Sequence, residues 1–240
     1  MPNEVQNLSD DRSDLFTSMK IKPFDYVASD RPEVANLLPV SYKTVLEIGC
    51  AKGGFKESLR GDAEIWGIEP NAAAADVAQA RGYRMLVGTY DDVASQIPDH
   101  YFDLLVCNDV IEHMPDHDAF LVRVQQKLKP GAVLVGSIPN VRYFGNIYKL
   151  LVHKDWQYTD QGILDRTHLR FFTEKSIRST LLNNNYAILC MAGINSDFSR
   201  PVSLRQLLKN ALLLGVIVLT LGYCKDFQYM QYAFSLKVKQ

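Results

Sequence analysis

The chain of 240 residues has little of what marks three common classes of protein. Its four cysteines, Cys50, Cys107, Cys190 and Cys224, include no CxxC pair, which argues against a zinc site or a disulfide framework. They are expected as reduced core thiols of a cytoplasmic protein. The formal net charge is −1, so the basic excess typical of nucleic acid binding is missing. No apolar run reaches the roughly 18–20 residues of a membrane span, and the polar, acidic start does not resemble a signal peptide.

What is present fits a folded protein with a substantial core. Hydrophobic residues make up 47% of the chain and charged residues 22%, and the length suits one large domain. We expect residues 1–24 to be a polar leader and residues 25–240 to form the domain. Residues 140–172 are rich in aromatics and histidine without a clear period, so they are interpreted as a long insertion over the ligand edge of the sheet.

Apolar runs alternate with helical patterns, which is typical of β-α-β units in a largely parallel sheet. Strands are predicted at residues 44–48, 64–68, 84–87, 102–107, 132–138, 186–192 and 229–238. Helices are predicted at residues 32–38, 54–60, 72–81, 119–128, 173–183 and 204–221. Asn71 and Thr173 are the expected N-caps, and Pro130-Gly131 is expected to end the helix that precedes it.

The helix predicted at residues 204–221 is strongly apolar, with little polar face in its second half. The favoured interpretation buries it against the sheet or in a homodimer interface. The alternative is a surface element that touches a membrane and reaches a lipid-linked substrate at the inner face.

One loop carries most of the functional information. An apolar run ends at Glu47-Ile48-Gly49 and breaks into Cys50-Ala51-Lys52-Gly53-Gly54, and Glu69 closes the next apolar run 20 residues after Gly49. Such a loop lets backbone N–H groups approach a ligand, and an acid at the next strand end can hold a ribose. Gly49, Ala51 and Gly54 nearly match the dinucleotide motif, so NAD is one candidate. Glu47 argues against it, because dinucleotide folds usually place an apolar residue there.

Five motifs in order resemble the class I S-adenosylmethionine-dependent methyltransferases. They are Val45-Leu46-Glu47-Ile48-Gly49-Cys50, Gly67-Ile68-Glu69-Pro70, Phe102-Asp103, Asp109-Val110-Ile111-Glu112-His113 and Leu128-Lys129-Pro130-Gly131, and the resemblance covers roughly residues 25–195. It implies an α/β, Rossmann-like, seven-stranded, mostly parallel sheet with helices on both faces and an antiparallel last strand.

The same resemblance implies S-adenosylmethionine as the cofactor. Its methionine part would lie against the loop and its ribose against Glu69. The implied cofactor-binding residues are Glu47, Gly49, Cys50, Ala51, Gly53, Glu69, Pro70, Tyr90, Asp91, Asn108 and Asp109. The chain departs from the family at two positions: Ala51 replaces the central glycine, and Thr89 stands where an acid near adenine is often found. Tyr90 or Asp91 would substitute for that acid.

Transfer of a methyl group to a hydroxyl needs a base to take the proton, and histidine suits this role because its pKa lies near neutrality. His113 follows the fourth strand, where similar O-methyltransferases place a histidine. His168 and Asp165 lie in a second segment rich in charge and aromatics, residues 162–173. These three are the predicted catalytic residues. The alternative is structural: His113 packs under the loop, His168 caps the following helix, and Asp165 pairs with Arg170.

The segments at residues 138–142, 156–158 and 162–173 resemble methyltransferases encoded in bacterial surface-polysaccharide (O-antigen type) gene clusters. This resemblance implies O-methylation of a sugar hydroxyl. The expected substrate-binding residues are Asn140, Arg142, Trp156, Tyr158 and Arg170. Three alternatives stay open: a quinone or natural-product phenol as acceptor, an NAD-dependent oxidoreductase, and a protein that binds the cofactor without catalysis.

Asp116-His117-Asp118 invites comparison with a magnesium site, because some sugar methyltransferases use that ion. Acids at this place also suit the start of the helix predicted at residues 119–128. We therefore predict no metal. The expected partner is a small-molecule or glycan acceptor, with a lipid-linked substrate and a homodimer as further options.

Overall fold

The computed structural model describes residues 30–199 and 203–239. The polar leader predicted at residues 1–24 lies outside the described residues.

Seven strands form one sheet in the order β3-β2-β1-β4-β5-β7-β6. β7 runs antiparallel to both β5 and β6, and the pairs among β1 to β5 are parallel. The strands are β1 Thr44–Ile48, β2 Glu64–Glu69, β3 Arg84–Val87, β4 Phe102–Asn108, β5 Leu128–Pro139, β6 Tyr186–Ser196 and β7 Tyr229–Val238. The predicted Rossmann-like sheet with an antiparallel last strand is confirmed.

Helices connect most of the strands. They are α1 Pro32–Ala35, α2 Ala72–Ala80, α3 Tyr90–Val93, α4 His117–Arg123, α5 Phe144–Tyr148, α6 Glu174–Asn183 and α7 Leu204–Leu219. Asn71 caps α2 by accepting from Ala74 N at 3.0 Å. Thr173 caps α6 in a capping box with Ser176. Both predicted caps are therefore confirmed.

The central strands are buried on both faces, which explains their continuous apolar sequences. Leu46, Leu105 and Leu134 lie side by side on one face of β1, β4 and β5, within one core cluster. Their chain neighbours Val45, Leu104 and Val133 line the opposite face within a second cluster. Because successive side chains of a strand point to opposite faces, each central strand contributes to both core clusters.

Three helix predictions are wrong in extent or type, and the first of them, residues 32–38, is helical only from Pro32 to Ala35. Residues 54–60 form only a 3₁₀ turn, Gly54–Ser58, entered through Gly53 in the left-handed conformation. Pro130-Gly131 does not end a helix but lies exposed within β5, at an irregularity in the pairing of β5 with β4. The extra β5 residues there leave the ladder, so the missing N–H of Pro130 does not interrupt it.

The apolar helix differs most from its favoured interpretation. α7 buries Leu213, whereas seven other leucines and valines along it are at least half exposed: Leu204, Leu207, Leu208, Leu212, Leu214, Val218 and Leu219. It is therefore not packed into the core. Among the described residues, no helix is both long and apolar enough to cross a bilayer. Cys190 is exposed on β6 and Cys224 partly exposed, so only Cys50 and Cys107 are the expected core thiols.

Candidate functional site

Several residues of the loop after β1 adopt backbone conformations that favour glycine. Gly49 and Gly53 have φ of 69°. A Cβ on Gly49 would lie 2.7 Å from Val110 Cγ2, which is too close for any other residue. Ala51 also adopts a positive φ, 47°, and so accepts some backbone strain where the family has glycine.

Glu69 fixes this loop from the end of β2. Its Oε2 accepts a hydrogen bond from Ala51 N at 3.0 Å, and its Oε1 accepts one from Asn71 N at 2.8 Å. The side chain is almost fully buried, yet it borders a cavity of about 420 Å³ at the carboxyl ends of the strands. This is the place where open α/β sheets bind their ligands.

The cavity brings together about half of the predicted cofactor-binding residues. Of these it contains Gly49, Glu69, Pro70, Tyr90, Asp91 and Asp109, and it adds Gly88, Thr89, Val110, His113, Met114, Pro115 and Thr167. Carboxylates, a glycine edge and apolar side chains suit the ribose, backbone approach and adenine of a nucleoside cofactor. The residues present therefore fit S-adenosylmethionine.

Five predicted cofactor residues do not line this cavity: Glu47, Cys50, Ala51, Gly53 and Asn108. Glu47 lies below the loop, where Tyr83 Oη donates to its Oε2 at 2.6 Å. Burial raises its pKa to about 7, while the hydrogen bond from Tyr83 and the charge of Arg31 act in the opposite direction. Its role in this structure is to anchor the loop against Tyr83.

Asp109 belongs to a polar network that the sequence did not reveal. Arg31 Nη2 lies 2.7 Å from its Oδ2, Ser137 Oγ donates to Oδ1 at 2.8 Å, and Gln231 Nε2 donates to Oδ2 at 2.7 Å. Arg31 precedes α1 and Gln231 lies on β7, so distant parts of the chain meet at the cavity. No local motif predicts these partners, because only the tertiary fold brings them together.

Two of the predicted catalytic residues form a pair. His113 and His168 meet edge to face with ring centroids 4.7 Å apart. His113 Nδ1 lies 3.2 Å from the Thr167 carbonyl and His168 Nδ1 lies 3.0 Å from the Ile163 carbonyl. Since a carbonyl oxygen only accepts, both Nδ1 atoms carry hydrogen, which leaves Nε2 of His113 as the atom that can accept a proton. Only His113 borders the cavity.

Glu112 stands behind this pair and was not singled out from the sequence. Its side chain is 1% exposed, and His168 Nε2 lies 3.9 Å from its Oε1. Neither carboxylate oxygen has a hydrogen-bond partner among the described residues. Burial, followed by repulsion from Asp109, raises its pKa well above the usual range. Ligand atoms of Glu112, His113 and His168 all lie within 4.8 Å of one another, a spacing that could hold a metal ion.

The predicted acceptor-side residues are mostly structural. Asp165 is buried and accepts from Thr167 N at 2.8 Å and Thr167 Oγ1 at 2.6 Å. Asn140 is fully buried and donates to the carbonyls of Asp226 and Tyr229. The structure therefore does not bring Asp165 or Asn140 to the cavity as catalytic or substrate-binding groups.

Charged and aromatic members of this group also have protein partners. Arg142 pairs with Asp226, with 3.2 Å between Nη2 and Oδ1. Arg170 donates to the Pro115 carbonyl at 3.0 Å rather than pairing with Asp165. Trp156 and Tyr158 pack on Phe171 with centroid distances of 5.6 and 6.2 Å, and Tyr158 remains exposed. Arg142 thus links residues 140–172 to the segment before β7, and it does not line the cavity.

Asp116 and its neighbours serve the helix that follows. Asp116 Oδ1 accepts from Ala119 N at 2.9 Å and so caps α4. Asp118 lies in the first turn of α4, and its Oδ1 accepts a hydrogen bond from Asn184 Nδ2. This arrangement is the structural interpretation made from the sequence.

Comparisons with known proteins agree with this geometry. A family model described as "Methyltransferase domain" matches residues 22–191. A ubiquinone biosynthesis O-methyltransferase from Bradyrhizobium sp. (strain ORS 278) is 29% identical over 156 residues, which cover 62% of this chain and 60% of the relative. A trans-aconitate 2-methyltransferase from Methylobacterium radiotolerans is 31% identical over 101 residues, covering 41% and 38%.

A solved structure of a SAM-dependent methyltransferase from Archaeoglobus fulgidus superposes with a TM-score of 0.60 at 16% identity, covering 87% of this chain and 94% of that one. The fold is that of a Rossmann-like domain, and its cavity lies where such sheets bind their ligands. The chain belongs to the methyltransferase domain family. At the level of the family, the predictions of a methyltransferase and of S-adenosylmethionine as its cofactor are confirmed. The chain spans about 60% of the length of the first relative named above.

Proposed function

We propose that this protein transfers a methyl group from S-adenosylmethionine to a hydroxyl group of a small acceptor, with His113 as the base. One observation carries the proposal: Glu69 at the end of β2 and His113 shortly after the end of β4 border the same cavity. Glu69 would hold the ribose, and the carboxyl end of β4 would face the reacting centre. Glu69 thus marks the cofactor side of the cavity, and His113 marks the acceptor side.

His113 has the properties of a general base at neutral pH. Burial, and then the charge of His168, lower its pKa below the ordinary 6.5, so its ring is neutral at pH 7. With Nδ1–H held by the Thr167 carbonyl, Nε2 is the atom that accepts a proton. When bound, S-adenosylmethionine supplies an electrophilic methyl group and a neutral thioether as leaving group. The acceptor oxygen gains that methyl group, and its proton passes to His113 Nε2.

Glu112 and His168 support His113 as positioning residues. The rings of His113 and His168 meet edge to face, and the ligand atoms of the buried Glu112 carboxyl lie within 4.8 Å of those of both rings, so the two residues help to hold the His113 ring in place. Proton transfer by a positioned side chain of this kind contributes about 10²–10⁴-fold to the rate.

The acceptor we favour is a phenol or quinol rather than a sugar. Val110, Met114 and Pro115 give the mouth of the cavity beside His113 an apolar wall that suits a flat ring. A relative that shares 156 aligned residues is named for ubiquinone biosynthesis. Asp165, expected to meet a sugar, is buried and bonded to Thr167.

A sugar hydroxyl is the second candidate, and one observation favours it. Tyr158 is 42% exposed and lies beside Phe171, which also contacts Trp156. Exposed aromatic faces of this kind can stack on a sugar ring. Asp165 takes no part in this version of the site.

The test is an acceptor panel with purified protein. Catechols and dihydroxybenzoates, nucleotide sugars, and lipid-linked glycans are each incubated with S-adenosylmethionine, and methylated products are detected by mass spectrometry. We expect a methylated phenol. Methylation of sugars alone would reverse the order of the two acceptors, and tight binding of S-adenosylhomocysteine without any methylated product would favour a binding protein instead.

A further inference from the structure

We propose that α7 and the segment 144–154 form a docking face for an anionic lipid bilayer. Here "docking face" means residues 144–154, which comprise α5 and the π-helical turn Lys149–His153, together with residues 204–225, which comprise α7 and the turn after it. The proposal goes beyond the methyl transfer itself and does not depend on the identity of the acceptor.

The two segments line the two sides of one groove and expose aliphatic side chains. A groove of about 710 Å³ separates them, with Phe144 and Tyr148 on one wall and Leu208 and Leu212 on the other. Leu151 at the end of the first segment is 72% exposed, and Leu219 at the end of α7 is 85% exposed. Monomeric soluble proteins rarely expose a contiguous apolar surface of this kind, and where they do it usually marks an interaction site.

The charge of the docking face is of one sign. Its two segments contain five lysines and arginines, Lys149, Lys154, Arg205, Lys209 and Lys225, and no aspartate or glutamate. The whole chain carries −1, so acids predominate elsewhere. Lys209 is held by Asp197 at 2.8 Å and serves the fold, but the other four are exposed. An apolar face with cations around it is the pattern that binds anionic lipid surfaces.

A second copy of this chain fits the face less well. A two-fold interface places the same patch against itself, so Lys149 and Arg205 would face cations with no acid between them. α7 is also too short to cross a bilayer. Its 16 residues span about 24 Å, whereas the hydrocarbon core is about 30 Å thick. The geometry therefore suits a helix that lies in the plane of the interface.

α7 lies outside the family match, which ends at residue 191, and forms the connection between the antiparallel neighbours β6 and β7. The other half of the docking face leads directly into the segment 154–172, which carries Thr167 to the cavity wall. Docking would thus place the acceptor side of the cavity near the bilayer.

The experiment is vesicle co-sedimentation of the full chain. Vesicles contain either phosphatidylcholine alone or phosphatidylcholine with 30% phosphatidylglycerol. We expect binding to the anionic vesicles that weakens as salt is raised. Each exposed cation is expected to contribute about fivefold to the affinity, so the pair Lys149→Glu and Arg205→Glu should reduce binding by well over tenfold.

The apolar contribution is tested with Leu208→Glu and Leu219→Glu in one protein, with Val122→Glu as the matched control. Val122 is 52% exposed on α4, outside the docking face. The first protein should lose vesicle binding and the control should keep it, while all variants bind S-adenosylhomocysteine like the parent and so are folded. Binding that is equal in parent and variants, or absent on anionic vesicles, overturns the proposal. A concentration-dependent dimer lost in Leu208→Glu would assign the face to a second copy and also overturn it.

Discussion

His113 and His168 touch through their rings, yet only His113 reaches the cavity. Replacing His113 by Gln keeps a side chain of similar length but removes the atom that accepts the proton. We expect turnover to fall by about 10²–10⁴-fold, with affinity for S-adenosylhomocysteine changed less than about threefold. Steady-state kinetics and calorimetry measure the two quantities. A fall in turnover below tenfold would contradict the assignment of His113 as base.

The pH dependence of turnover distinguishes the two histidines. The lowered pKa of His113 places the acid limb of the kcat/KM profile, which reports the free enzyme, below 6.5, since the base must be unprotonated to act. The charge of His168 contributes to this lowering. His168→Gln should therefore move the limb to higher pH, whereas His117→Gln, whose ring packs on Phe172, should leave it unchanged. An unmoved limb in His168→Gln would show that the rings are not coupled.

Glu47 is one of two buried carboxyls, with Glu112, whose raised pKa makes folding depend on pH. Its folded pKa of about 7 exceeds its usual 4.5, so the folded state binds a proton that the unfolded chain has already lost between these values. The stability that this group contributes is present below pH 4.5 and is lost as pH rises to 7 and above. Denaturant unfolding from pH 4.5 to 8 should show this loss, and Glu47→Gln should reduce it to the part that Glu112 contributes. Tyr83→Phe should move the loss to higher pH, because the Tyr83 hydrogen bond lowers the pKa of Glu47.

Secondary structure elements owe their stability to burial on both faces of the sheet. Leu105 in β4 is fully buried, and truncation to Ala should cost about 2–5 kcal/mol in unfolding free energy. Val87 in β3 is 54% exposed, and Val87→Ala should cost far less. Urea denaturation monitored by circular dichroism gives both values. Similar losses at the two positions would contradict the two-sided core.

Elements with strong local signals were predicted well from the sequence. β1, β3 and β7 have the predicted bounds, because each is an apolar or alternating run between clear turn residues. The irregular start of β5 was missed, since Pro130-Gly131 is also the usual end of a helix. The exposure of α7 was missed for another reason: an apolar helix has the same sequence whether it meets the core or another surface.

In the candidate site too, residues marked by a local motif were found and residues joined only by the fold were missed. Glu69 and Asp109 were found because each ends a strand within a motif, and both border the cavity. Arg31 and Gln231 were missed, because the latter is 122 residues from its partner Asp109 and nothing local marks the contact. Asn140 was assigned to substrate and Asp165 to catalysis from a family resemblance and the polar, aromatic character of their segments, whereas both make buried hydrogen bonds within the protein.

Ligand binding should be visible in the stability of the whole molecule. A ligand that binds only the folded state adds about 2.7 kcal/mol at 100 times its Kd. S-adenosylhomocysteine should therefore raise the melting temperature of the parent by several degrees. In Glu69→Gln, which loses one of its two carboxylate oxygens, this rise should largely disappear, while exposed Asp76→Asn keeps it. An undiminished rise in Glu69→Gln would remove Glu69 from the cofactor site.

The position of β7 between β5 and β6 has a consequence for synthesis on the ribosome. β5 and β6 are translated before β7 and do not pair with each other. Until β7 is made, β5 pairs with β4 and is open on its other edge, whereas β6 pairs with no strand of the sheet. α7 emerges during this interval, when the sheet is still incomplete. The nascent chain therefore passes through a stage in which unpaired strands and an aliphatic helix are exposed together. We expect ribosome-bound chains ending before residue 229 to bind chaperones more strongly than chains released after residue 238.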